Sequence, residues 1–142
     1  MTAVSPAPRG LLDTSTVILL RRLDDPNVLP PKPLISATTL AELSVGPLVA
    51  TTEEDRAARL AHLQQAEADF DPLPFDAAAA RVFGRVAASL RRAGRKPSAR
   101  SYDAMIAAVA VANEVPLFTC NPDDFAGIDG LTVVPIPHPD AI

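Results

Sequence analysis

A chain of 142 residues, 48% hydrophobic and 21% charged, has the size and composition of one ordinary folded domain, which argues against intrinsic disorder. Its longest apolar run, Ala104 to Ala112, covers nine residues, far short of a membrane span. One cysteine, Cys120, excludes an intrachain disulfide and a polycysteine zinc site, two distant histidines (His62, His138) argue against a His-rich metal site, and a net charge of −4 argues against simple global attraction to nucleic acid.

The opening "MTAVSPAPRG" has neither the basic start nor the apolar centre of a signal peptide, so a reducing cytoplasm is the expected location. Residues 1–142 read as a single domain, with tails at about 1–9 and 137–142. "GLLD" reads as a short buried strand and Thr14 to Leu23 as the helix after it. "DDPNVLPPKP" is a connection too rich in proline for helix or central strand. "LISAT" is the next strand. It runs into "TTLAELSVGPLV", where Thr39 and Glu42 have the spacing of a capping box.

Thr52 to Asp69 forms a helix with acids in its first turn and apolar positions at Ala57, Leu60, Ala61 and Leu63. "FDPLPF" is a short edge strand, limited in pairing by its prolines. Asp76 caps a long helix that runs to Ala93 and stops at Gly94, and "GRKPSAR" is a loop. Ser101 caps "YDAMIAAVAVANE", which is apolar nearly all round and therefore buried. "PLFTC" is a strand, "PDDFAGI" a helical turn and "LTVVPI" the last strand. Strands alternating with helices predict an α/β domain: three layers, with a mainly parallel four- to five-stranded sheet flanked by helices.

Charge is unevenly spread. No acid falls between Asp76 and Asp103, whereas Arg81, Arg85, Arg91, Arg92, Arg95, Lys96 and Arg100 do, seven of the thirteen basic residues. The segment is either a solvated helix face with a basic loop or a local phosphate-binding patch, with Arg91, Arg92, Arg95 and Lys96 as its RNA-contacting candidates.

The acids raise a sharper question. Asp13 ends the first strand amid apolar residues, Glu42 lies one turn past the second, Asp103 opens the most buried helix, and Asn121, Asp123 and Asp124 follow "PLFTC". Each has a local explanation as a cap or first-turn acid. Yet open parallel sheets build their sites along the rim where strands end. Carboxylates sharing that rim would repel by roughly 3 kcal/mol per pair at ~5 Å and an effective dielectric near 20. Such a site requires cations, and oxygen-only ligands favour Mg²⁺ or Mn²⁺ over zinc.

"LLDTS", "TLAEL", "YDAMIAAVA" and "TCNPDDF", in this order and at these separations, resemble PIN-domain proteins and, among them, the VapC-type toxins of bacterial toxin–antitoxin pairs. The resemblance spans Leu11 to Ile136 and implies the same fold of parallel sheet and flanking helices. It implies a Mg²⁺-dependent ribonuclease, with Mn²⁺ as an alternative ion, neutralised by a small cognate antitoxin and commonly homodimeric. Its motif acids match Asp13, Glu42 and Asp103. The fourth falls on Asp124, with Asn121 standing at a position that is Asp in some relatives and Cys120 where many have a basic residue. Whether Asn121, Asp123 or Asp124 supplies the fourth ligand stays open.

On that resemblance Asp13 and Asp103 are direct metal ligands, Glu42 holds a second metal or a metal-bound water, and Asp124 with Asn121 completes the shell. Thr14, Ser15 and Thr119 are candidates to orient the carboxylates. Neither histidine lies on the rim, so His62 is expected in solvent and no Ser–His–Asp arrangement is available. Two other readings are an RNA- or protein-binding module of the same fold without catalysis, and a metal-dependent phosphatase or phosphotransfer domain. The second calls for a Lys or Arg near the acids, which the motif loops lack.

Overall fold

The computed structural model describes residues 8–96 and 100–141. Four short strands, β1 (Arg9–Leu12), β2 (Lys32–Leu34), β3 (Leu117–Thr119) and β4 (Val133–Pro135), form one sheet in the order β2-β1-β3-β4, every pair parallel. Among the described residues, five α-helices connect and cover them: α1 (Thr14–Leu19), α2 (Ala37–Val49), α3 (Glu53–Asp69), α4 (Ala77–Arg92) and α5 (Ser101–Ala112).

Strand alternation explains the three layers. Leu11 and Leu12 are both fully buried but point to opposite faces. Leu11 and Leu117 join one core cluster with Val86, Leu90, Ile106 and Val109 of α4 and α5. Leu12 joins the other with Val17, Ile35, Leu43 and Ala66, against which Leu63 and Phe118 pack. A parallel sheet covered on both faces needs apolar residues on both, which is why "GLL" is continuous rather than alternating. Gly10 has a separate reason to lack a side chain: a Cβ there would lie 2.5 Å from Cε1 of Phe118.

Helix α5 is the central helix. Ala104, Ile106, Ala107, Ala108, Val109 and Ala110 are all fully buried, and the alanines let neighbouring elements approach closely. Helix α4 begins as expected, with the Asp76 side chain accepting from the Ala79 amide at 3.0 Å. It ends where Gly94 adopts φ 78° and the Arg95 amide returns to the Leu90 carbonyl.

Several local expectations are corrected. The second strand is Lys32–Leu34, which begins in the proline-rich connection and ends on the first residue of "LISAT"; β2 is an edge strand, where Pro33 removes no needed donor. Ser36, not Thr39, caps α2, its Oγ accepting from the Thr39 amide at 3.2 Å. The Thr39–Glu42 spacing is therefore no capping box, and both side chains are released for the site. Ser101 is the first residue of α5, with Arg100 at the cap position. "FDPLPF" contributes one bridge, Leu73 to Ser36, instead of a strand, because Pro72 and Pro74 on either side of Leu73 leave a single pairing. After Leu19 the first helix tightens into a 3₁₀ turn, Leu20–Arg22.

In α3 the inward side is Leu60, Leu63 and Ala66, while Ala57 and Ala61 are exposed. His62 is half-buried rather than in solvent. It lines a groove of about 450 Å³ between α1 and α3 with Val17, Leu20 and Phe70. Part of the predicted "GRKPSAR" loop, residues 97–99, lies outside the described residues, as does most of the predicted N-terminal tail.

Candidate active site at the carboxyl rim of the sheet

Strands β2 and β3 flank β1 on opposite sides, so the chain leaves β1 at a switch point, where an open parallel sheet forms a crevice. Asp13 stands immediately beyond β1. It caps α1, accepting from the Thr16 amide at 3.3 Å, and is 3% exposed. Three hydroxyls complete its surroundings. Thr119 donates to Oδ2 at 2.8 Å, Ser15 donates to the same oxygen at 3.1 Å, and Thr16 donates to Oδ1. Asp13 is thus both a helix cap and a buried charge held in one orientation.

The hydroxyls are themselves held from β3 and the turn after it. Thr119 Oγ1 accepts from the Asn121 amide, Ser15 Oγ accepts from Asn121 Nδ2, and Thr16 Oγ1 accepts from the Cys120 amide, all at 2.9–3.0 Å. Burial pushes the Cys120 thiol up, so it remains a small protonated group rather than a nucleophile. Opposite, Thr14 Oγ1 donates to Glu42 Oε1 at 2.5 Å and hydrogen-bonds the Thr39 hydroxyl at 3.1 Å. Burial raises the Glu42 carboxyl above its ordinary value, the Thr14 bond opposes this, and the Asp13 charge adds to it.

Asp103, half-buried in the first turn of α5, feels the whole group. Burial, then the charges of Asp124, Glu42 and Asp13, push its carboxyl up to about 6 from 3.8, while Arg100 pulls it down. Arg100 donates to Asp124 Oδ1 at 2.9 Å and stands 3.8 Å from Asp103 Oδ2. A cation therefore stands among the acids, contrary to the expectation drawn from the motif loops. Asp124 turns toward Asp103, Asn121 toward Ser15, and Asp123 is exposed, with its carbonyl accepting from Arg95 at 2.6 Å.

The basic segment divides. Arg92 pairs with Asp129 at 2.5 Å and Arg95 braces the Asp123 carbonyl, whereas Arg91 and Lys96 are exposed. Sequence reasoning missed Arg100, Thr16 and Thr39 as members of the site. The signals were present: Arg100 lies three residues before Asp103, and Thr16 three after Asp13, the position whose amide an N-cap aspartate reaches.

Among the described residues no three acids, histidines or cysteines converge into a ready-made metal cage. What is present is four carboxylates against one guanidinium, with oxygen donors only. That set fits a hydrated hard cation, because Mg²⁺ keeps several waters and takes only one or two direct carboxylates. It does not fit zinc.

The electrostatics predict a pH effect on the metal-free protein. A carboxyl raised to about 6 holds a proton in the folded state that the unfolded chain releases near 3.8. Its contribution to stability is present below that lower value and is lost as pH rises to about 6. Thermal unfolding in chelator should show Asp103→Asn gaining on the wild type as pH rises from about 4 to about 7. A constant difference would show that Asp103 titrates as an ordinary carboxylate.

Comparison with known proteins agrees with the geometry. Residues 11–131 match the PIN domain. The chain is 42% identical over 130 residues to Ribonuclease VapC5 of Mycobacterium tuberculosis, covering 89% of this chain and 93% of that one. It is 33% identical over 130 residues to Ribonuclease VapC4 of the same organism, covering 90% and 97%. The crystal structure of VapBC-5, a toxin–antitoxin system of Mycobacterium tuberculosis, superposes with a TM-score of 0.78 at 40% identity, covering 92% of this chain and all of that one. With the match running from β1 through the turn that carries Asp124, the chain belongs to the PIN-domain family.

Proposed function

We propose that this protein is a divalent-metal-dependent endoribonuclease and the toxin of a toxin–antitoxin pair, acting in the cytoplasm. One observation carries the reading: carboxylates from four separate elements, Asp13, Glu42, Asp103 and Asp124, share one electrostatic field at the switch point of the sheet. The two relatives named ribonucleases supply the reaction class. Asp13 and Asp103 are the direct ligands in this reading, with Glu42, Asp124 and Asn121 completing the surroundings. Mg²⁺ is the proposed ion, with Mn²⁺ able to replace it. When bound, it lowers the pKa of water and aligns it for in-line attack on a phosphodiester.

The protein's own groups do the positioning. Thr16, Ser15 and Thr119 hold the Asp13 carboxylate in one orientation, and Thr14 holds Glu42. Arg91 in the last turn of α4 and Lys96 just beyond that helix, both exposed, contact the phosphate backbone of RNA in this reading. A small antitoxin is the proposed protein partner. Support comes from the VapBC-5 complex and from apolar surface left open on α2, where Leu48 is 86% and Val49 60% exposed.

Growth tests the toxin reading directly. Induced expression of the wild type is expected to arrest growth, and co-expression of the small protein encoded beside it should restore growth. Asp13→Asn should be harmless at the same protein level. Equal growth with wild type and Asp13→Asn would refute toxicity by this site.

A further inference from the structure

Arg100 has no role in the reading so far, yet it is the cation nearest the acids. Its Nη1 lies 2.9 Å from Asp124 Oδ1 and 3.8 Å from Asp103 Oδ2, so one guanidinium bridges carboxylates on two separate elements. Its backbone is set by position, since Arg100 is the cap residue of α5 and Asp103 lies in that helix's first turn. All three side chains are partly exposed, at 37%, 31% and 42%, so the contact can open without unpacking the core. The neighbouring basic residues are engaged differently: Arg92 pairs with Asp129 and Arg95 with the Asp123 carbonyl.

Charge decides what such a bridge does. Four carboxylates facing one guanidinium leave a large negative excess, so the bridge relieves the repulsion only in part. A hard divalent cation needs oxygens that the guanidinium already uses, and it carries twice the charge. We propose that Arg100 is a built-in counter-cation that holds Asp103 and Asp124 together in the metal-free protein and is displaced from them when the metal binds. The proposal rests on the metal-dependent reading above. Arg100 is in this sense a positioning residue. It keeps the empty site from splaying apart, at the cost of weaker metal affinity.

Calorimetric titration with Mn²⁺ tests this, using wild type, Arg100→Gln and Arg92→Gln. Removing a positive charge several ångströms from a divalent ion at a wet surface should tighten binding about tenfold. Arg92→Gln carries the same change in net charge away from the acids and should stay within about twofold of wild type. In chelator, Arg100→Gln should melt below wild type, because the carboxylates lose their counter-charge. Unchanged or weaker Mn²⁺ binding by Arg100→Gln would overturn the proposal, as would equal tightening by Arg92→Gln. A second measurement needs no variant: the Arg100 Nε–Hε resonance of the wild type should shift as Mg²⁺ is added. A resonance unmoved at saturating Mg²⁺ would also overturn it. Absence of Mn²⁺ binding by all three proteins would refute the metal reading itself, whereas equal binding by wild type and Arg100→Gln refutes this proposal alone.

Discussion

Asp103→Asn is expected to lower metal-dependent RNA cleavage roughly a hundred- to a thousandfold, the loss that follows removal of one preorganised electrostatic group. The variant should fold. Asn is nearly isosteric with Asp, and the substitution deletes a charge that Asp124, Glu42 and Asp13 all oppose. Metal-free stability near neutral pH should therefore rise, while activity falls. This opposition between stability and activity distinguishes a functional carboxylate from a structural one. Asp129→Asn is the matched control, since Asp129 is exposed and pairs with Arg92 outside the acid group. Cleavage of a defined single-stranded RNA in Mg²⁺, beside thermal melts in chelator, gives both quantities. A well-folded Asp103→Asn protein with wild-type cleavage would remove Asp103 from the site.

The largest effect on stability is expected from Phe125→Ala. Phe125 is 1% exposed and is the largest fully buried side chain among the described residues. It belongs to the core cluster built on Leu90, Ile106, Val109 and Leu117. Truncating a buried Phe to Ala costs about 3–5 kcal/mol in lost transfer energy and residual cavity. Domains of this size are stable by about 5–15 kcal/mol in total, so the variant would lose a large share of its margin. Urea unfolding should show a lower midpoint with an unchanged slope. A loss below about 1 kcal/mol would mean that the turn repacks around the gap. The effect reaches function through one covalent step: Phe125 anchors the 3₁₀ turn Pro122–Phe125, which presents Asp124 to Arg100 and Asp103. Phe125→Leu, leaving a smaller cavity, should lose less of both.

Much of the architecture was legible from short-range chemistry. "YDAMIAAVAVA" is apolar nearly all round, and α5 is the buried central helix. Asp76 and Gly94 mark the ends of α4 because an N-cap carboxylate and a positive-φ glycine act within one turn. The failures were also local. Ser36 and Thr39 are both good caps, and composition alone cannot choose between them. Ser36 won because its backbone is extended beside Leu73, a pairing between residues 37 apart. The "LISAT" strand shifted for a related reason, since the register of β2 is set by Arg9–Leu11 of β1 and not by the β-branched residues themselves.

The sequence by itself therefore determined which residues carry charge, where α3 and α4 begin and end, and that strands alternate with helices. Those properties depend on side chains within about one helical turn of each other. Only the tertiary structure decided which polar groups meet. Thr119 reaches Asp13 across 106 residues and Arg100 reaches Asp124 across 24, because β3 lies beside β1 and the turn after β3 lies beside the start of α5. Strand order is a long-range outcome of burying both faces of the sheet, and no local pattern encodes it. The same fact explains why Arg100 reads as one more basic residue in the sequence and stands among the acids in the fold.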